Sequence, residues 1–167
     1  MSTLKRLSPA GIPRALEKAE RYRLLNDPGD AESICLDILE VDSGHQRALV
    51  SLLLSRTDQF PRARDGAGVA SAREVLPRLQ SEYERAYYNG IICERWAKAL
   101  RTRGVPGSGA TAYQWLQEAM EHYEQAERVR PAGNDDALLR WNACARTIAR
   151  HPDLKPAVEE RAETMLE

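Results

Sequence analysis

Turn-forming clusters cut this chain into segments of helical length. Asn26-Asp27-Pro28-Gly29-Asp30, Asp42-Ser43-Gly44, the stretch from Asp58 to Gly68, Gly104-Val105-Pro106-Gly107-Ser108-Gly109 and His151-Pro152 are breaks by composition. Between them, apolar residues recur three and four positions apart, as in Ile34, Cys35, Ile38 and Leu39, and no alternating stretch of strand length stands out. Ala, Leu, Arg and Glu are abundant and Phe occurs once, a helix-favouring balance. Seven or eight helices are expected: Ile12–Leu25, Ala31–Val41, Gln46–Arg56, Val69–Gln80 with Pro77 at a bend or end, Glu82–Arg103, Ala110–Arg130, Asp135–Arg150 and a weaker eighth over Leu154–Leu166. Ser81-Glu82-Tyr83-Glu84 reads as a capping box opening the fifth, and Asn134 as the cap of the seventh. Short turns between helices force antiparallel pairs.

The 167 residues suffice for one domain with its own core. Lys+Arg is 24 against 25 Asp+Glu, for a net charge of -1, with neither a basic excess nor a clustered basic stripe. Nucleic-acid binding therefore loses ground. Cys35, Cys93 and Cys144 are odd in number, far apart and form no C-x-x-C pair. They read as small buried residues of a reducing compartment rather than as a disulfide or zinc framework. Lys5 and Arg6 are followed by no apolar run, and no stretch reaches the ~20 apolar residues of a membrane span. A cytoplasmic protein is expected.

One internal recurrence stands out. Ala15, Lys18, Ala19 and Tyr22 mark a helix face, and a shift of 34 residues gives Leu49, Leu52, Leu53 and Arg56. Ala119-x3-Tyr123, followed by Ala126 and Pro131, has a small-then-large spacing with a closing proline, and Ala31-x3-Cys35, then Ile38 and Ser43, repeats it. Gly90 stands where a first helix needs a close approach, and Leu138, Trp141, Asn142 and Ala145 begin the next unit. The period is longer in the later units, with the surplus around Gly104–Gly109. On these residues, from about Ile12 to Arg150, the chain resembles the tetratricopeptide repeat family, whose units pair two helices. The resemblance implies a single all-α domain, a right-handed α-α superhelix of about 3–4 antiparallel helix pairs, with units near 12–45, 46–80, 81–133 and 134–167. A small residue lets two helices approach and a large one fills the adjacent hole, and units stack because no pair buries its own apolar face.

The resemblance also implies a function. Such arrays bind extended peptides or partner helices along the first helix of each pair. The inward candidates are Glu17, Glu20, Arg47, Ser51, Leu54, Tyr87, Tyr88, Ile91, Arg95, Arg140 and Arg146. Tyr and Arg suit binding hot spots, although Tyr87 and Tyr88 could equally only cover the core. One subfamily clamps a C-terminal carboxylate with Lys and Asn. The matching positions here are Leu16, Glu20, Arg47, Ser51 and Tyr88, where only Arg47 carries a suitable charge, so that recognition is not expected.

Other chemistry is weighed against simpler readings. Asp136 and Arg140 are spaced four apart for an ion pair. Glu118, Glu121, His122 and Glu124 read as a solvated charged face and lack the H-E-x-x-H metal pattern. The Gly104–Gly109 segment lacks the Lys-Ser/Thr of a phosphate loop. Trp96, Trp115 and Trp141 read as core, and Arg56, Arg62 and Arg64 as loose charge around a loop. Cys93 and Cys144 have no histidine close in sequence to activate them. The expectation is a protein-binding scaffold or adaptor without metal or cofactor and without enzymatic activity. A small chaperone for a secreted or assembling protein is the alternative, and an enzyme built on the carboxylate- and histidine-bearing helices is the third reading.

Overall fold

Helical segmentation carries through to the structure, a computed structural model that describes residues 3–63 and 65–157. Seven α-helices, α1 (Ile12–Leu24), α2 (Pro28–Val41), α3 (Gln46–Asp58), α4 (Ala67–Arg73), α5 (Glu82–Arg103), α6 (Ser108–Arg128) and α7 (Asp136–Arg150), are joined by turns and three short 3-10 segments, with no strand among the described residues. The all-α expectation holds.

Local chemistry sets several helix boundaries. The Ser81 hydroxyl accepts from Glu84 N at 3.2 Å and opens α5 at Glu82. Gly104 closes it at φ 62°, a left-handed conformation suited to glycine. His45 Nδ1 accepts from Ala48 N and caps α3. Asn134 Oδ1 accepts from Asp136 N at 3.0 Å at the head of α7. Ser81→Ala is expected to lower stability by about 1 kcal/mol in denaturant unfolding; an unchanged midpoint would mean the cap is redundant.

Three expectations are corrected. The fourth helix does not run to Gln80: it ends at Arg73, and Leu76–Arg78 is a 3-10 turn. Pro77 has no N–H to give, and its ring would collide with the carbonyl of Arg73 in a continuing helix. The Asp58–Gly68 stretch is not simply an exposed loop. Phe60 starts a 3-10 turn, is 1% exposed and meets Trp96 edge-on at 5.4 Å. Leu154–Ala157 is not helical, and the rest of the expected eighth helix lies outside the described residues. Pro156 disfavours a helical Lys155, and Leu154 is instead a buried plug in the core formed by α5, α6 and α7.

Polar contacts give the helix directions. Glu32 in the first half of α2 meets Arg56 and Gln59 at the end of α3, so α2 and α3 run antiparallel. Gln46 at the start of α3 bonds Gln80 N just before α5, and Arg95 of α5 bonds Asp58 at the end of α3, so α3 and α5 run parallel. Tyr83 and Asn134 join the heads of α5 and α7, and Arg101 meets His151 beyond the end of α7, so these two also run parallel. Helix α6 lies antiparallel to both: Gly90 faces Tyr123, and Glu124 meets Trp141. Two apolar clusters fill this frame. One joins α1–α4 to one side of α5 through Leu49, Leu52, Leu53, Ile92 and Trp96; the other joins α5, α6 and α7 through Cys93, Leu116, Tyr123 and Cys144.

Candidate functional site

Helices α1, α3 and α5 border a cleft of about 210 Å³ lined by Glu20, Arg23, Gln46, Arg47, Val50, Ser51, Leu54, Glu84 and Tyr88. Five of the expected inward residues meet here: Glu20, Arg47, Ser51, Leu54 and Tyr88. Arg47 NH2 donates to Glu20 Oε1 at 2.8 Å, an exposed pair across the mouth whose worth is about 0–1 kcal/mol and which a ligand can open cheaply. Tyr88 is half-buried, and burial pushes its phenol up to about 12, so it stays a neutral donor. Ser51 differs from the expectation in one respect. It is 4% exposed, and its hydroxyl oxygen is buried without a hydrogen-bond partner.

The other expected residues are placed differently. Arg95 NH1 donates to Thr57 Oγ1 and to Asp58 Oδ1, and Arg23 Nε donates to the other oxygen of Asp58, so both arginines hold the end of α3. They also border a second opening of about 410 Å³ with Leu24, Pro61, Lys98 and Thr102. Ile91 is buried in the core of α5, α6 and α7, and Tyr87 stacks on Tyr83 and packs against Tyr123. Glu17 and Arg146 are exposed on α1 and α7. Arg56 is not loose: it bonds Glu32 and the carbonyl of Ser71.

Arg140 carries a correction. It does not pair with Asp136; it reaches across to Glu94, which is 2% exposed inside α5. The Glu94 carboxylate also accepts from the Tyr123 hydroxyl at 2.7 Å and pairs with Lys98 at 2.8 Å. Burial alone would push this carboxyl up, but the hydrogen bonds from Arg140, Lys98 and Tyr123 outweigh it and hold it below the ordinary value. A buried charge so fully partnered is a lock between α5, α6 and α7. Its distance in sequence from Arg140 left no local sign of it, although an internal Glu on an otherwise apolar helix face is a signal that could have been followed.

The fold also brings a histidine to a cysteine. Cys93, Glu118 and His122 each place one ligand-type atom within 4.8 Å of the others. Both parts were visible in the sequence, but nothing local joins α5 to α6 at that angle. Burial pushes the Cys93 thiol up to about 12, so it is no activated nucleophile at neutral pH. Among the described residues, no helix is long and apolar enough to cross a membrane. No family model, curated protein or solved structure matches the chain.

Proposed function

We propose that the chain is a protein-interaction scaffold of the tetratricopeptide kind, which receives a peptide or a partner's segment along α1, α3 and α5. The observation that supports it best is the cleft between these helices, bordered by Glu20, Arg47, Leu54 and Tyr88. The parallel course of α3, α5 and α7, with α4 and α6 between them in sequence, is the order in which stacked helix pairs build a superhelix, and it favours the repeat reading. Tyr123 set against Gly90 is the large-into-small contact that the repeat resemblance implies. The cleft mixes an apolar floor, Val50 and Leu54, with an amide, a phenol and charges of both signs, a lining suited to an extended polypeptide. Three buried free thiols accord with a cytoplasmic setting.

Affinity capture from native extract tests the reading. A variant carrying Arg47→Glu and Tyr88→Ala is compared with wild type after circular dichroism confirms equal helicity. The expected result is a partner held by wild type and lost, by about thirtyfold in affinity, with the variant. A partner retained equally by both would place binding elsewhere. Arg95 and Tyr87 are unsuitable probes because their removal damages the frame itself.

A further inference from the structure

Away from the cleft, α4, α5 and α6 converge on one point. Helix α5 carries Asn89 and Cys93 four residues apart, and antiparallel α6 carries Glu118 and His122 four apart. Each pair therefore stands on one face of its helix. Arg73, the last residue of α4, reaches between them. Its Nε donates to Asn89 Oδ1 at 3.2 Å, and its NH2 donates to Glu118 Oε1 at 2.6 Å and to Cys93 Sγ at 3.3 Å. His122 Nε2 lies 3.6 Å from the same Glu118 oxygen. Donor atoms of two helices are thus already gathered around a positive charge.

The guanidinium is a poor match to part of this set. A thiol sulfur is only a weak acceptor. Sulfur, imidazole and carboxylate together instead make the ligand set of a thiophilic divalent metal, zinc foremost. Facing helices of a bundle are where such sites are built.

We propose that Cys93, Glu118 and His122 bind a divalent cation of the zinc class, which displaces the guanidinium of Arg73. On binding, the metal forms one bond each to Sγ, an imidazole nitrogen and a carboxylate oxygen. The Cys93 thiol proton passes to solvent, and Arg73 turns outward with its charge unchanged. The fourth position falls to Asn89 or a water. Tetrahedral zinc bonds of about 2.0–2.3 Å set ligand atoms roughly 3–4 Å apart, so the present spacing of up to 4.8 Å needs only a small contraction. Glu118 and His122 are half-buried and free to make it. Arg73 is able to leave: its side chain is 35% exposed, and what it gives up is a partly exposed ion pair with Glu118, a hydrogen bond to Asn89, a weak one to the Cys93 sulfur and a stacking contact on Trp115.

The test is titration of the full chain with Co2+, followed by Zn2+ competition, with helicity monitored throughout. Wild type is expected to show thiolate-to-cobalt charge-transfer absorption that saturates at one equivalent and is erased by Zn2+. Cys93→Ser should abolish the band, His122→Asn should weaken binding by about tenfold or more, and Arg73→Met should strengthen it. His122 lies near the surface, so its variant decides the matter if Cys93→Ser fails to fold. Absence of the band in wild type overturns the proposal. So does a band that persists unchanged in Cys93→Ser or in His122→Asn, because the thiolate would then belong to Cys35 or Cys144 or the site would not include the imidazole.

Discussion

Arg140→Leu is expected to cost about 2–4 kcal/mol of folding stability, somewhat under the about 3–5 kcal/mol of breaking a fully buried ion pair from one side, because the Arg140 side chain is itself only half-buried. Glu94 stays behind in α5 with 2% of its surface exposed, keeping Tyr123 and Lys98 but losing both bonds from Arg140. Urea unfolding followed by circular dichroism measures the loss. Dependence on pH gives an independent reading. In wild type the folded Glu94 carboxyl lies below its ordinary value of 4.5. Its stabilising contribution is therefore complete above that value and is lost as pH falls through the lower folded value. In the variant an under-partnered buried carboxyl gains by taking up a proton. The stability gap between the two proteins should therefore narrow on acidification below about pH 4.5. A variant as stable as wild type at pH 7, or a gap that widens in acid, would show that Glu94 does not lock α5 to α7.

Gly90→Ala is expected to destabilise by about 1–3 kcal/mol, although alanine is the better helix former by about 1 kcal/mol. A Cβ at Gly90 would sit 2.5 Å from Tyr123 Cε1 and 2.7 Å from Cδ1. The ring has no easy retreat: Tyr123 is 0% exposed, and its hydroxyl is tied to Glu94. Tyr123→Leu is itself destabilising, because it removes a hydrogen bond from a buried carboxylate and opens space. In that background the new methyl meets a smaller neighbour, so Gly90→Ala should cost less than it does in wild type. Such coupling is what a double-mutant cycle measures for residues in contact. A stabilised Gly90→Ala, or strictly additive effects, would contradict the close approach of α5 and α6.

These two sites also show what could and could not be read from the residues alone. Gly90 and the Ala119-x3-Tyr123 spacing both stood out, and the structure packs the tyrosine on the glycine. Ser81 with Glu84 opened α5 at the residue where it begins. Caps, turn glycines and apolar periodicity act within about one helical turn and leave local signs. Pro77 signals a bend or an end of the fourth helix, and the helix stops one turn before it, at Arg73. The four-residue reach of one helix face pairs Arg140 with Asp136 in the sequence; the fold offers it a buried carboxylate on another helix. Turn-forming neighbours predict a loop at Phe60, yet its ring is an anchor against Trp96. Nothing local joins His122 to Cys93 either, although the fold brings them together. Which side chains meet across helices depends on how each helix is rotated and crossed, and periodicity alone does not specify those angles.

The candidate binding surface followed the same division. Glu20, Arg47, Leu54 and Tyr88 share a cleft because α1, α3 and α5 present them side by side. Arg95 and Ile91 stand on the expected helix, but one is used to hold Asp58 and the other to fill the core. The repeat resemblance implies a face; competition from buried partners determines which of its residues line the cleft.

Site-specific photo-crosslinking distinguishes a partner held in the cleft from one held elsewhere. A photoreactive residue replaces Val50 in the cleft between α1, α3 and α5, and in a second protein it replaces the exposed Leu36 of α2. Binding in the cleft predicts a discrete crosslinked partner from position 50 and none from position 36, with the adduct suppressed by Arg47→Glu. Crosslinking from position 36 alone, or equal crosslinking from both, would contradict it.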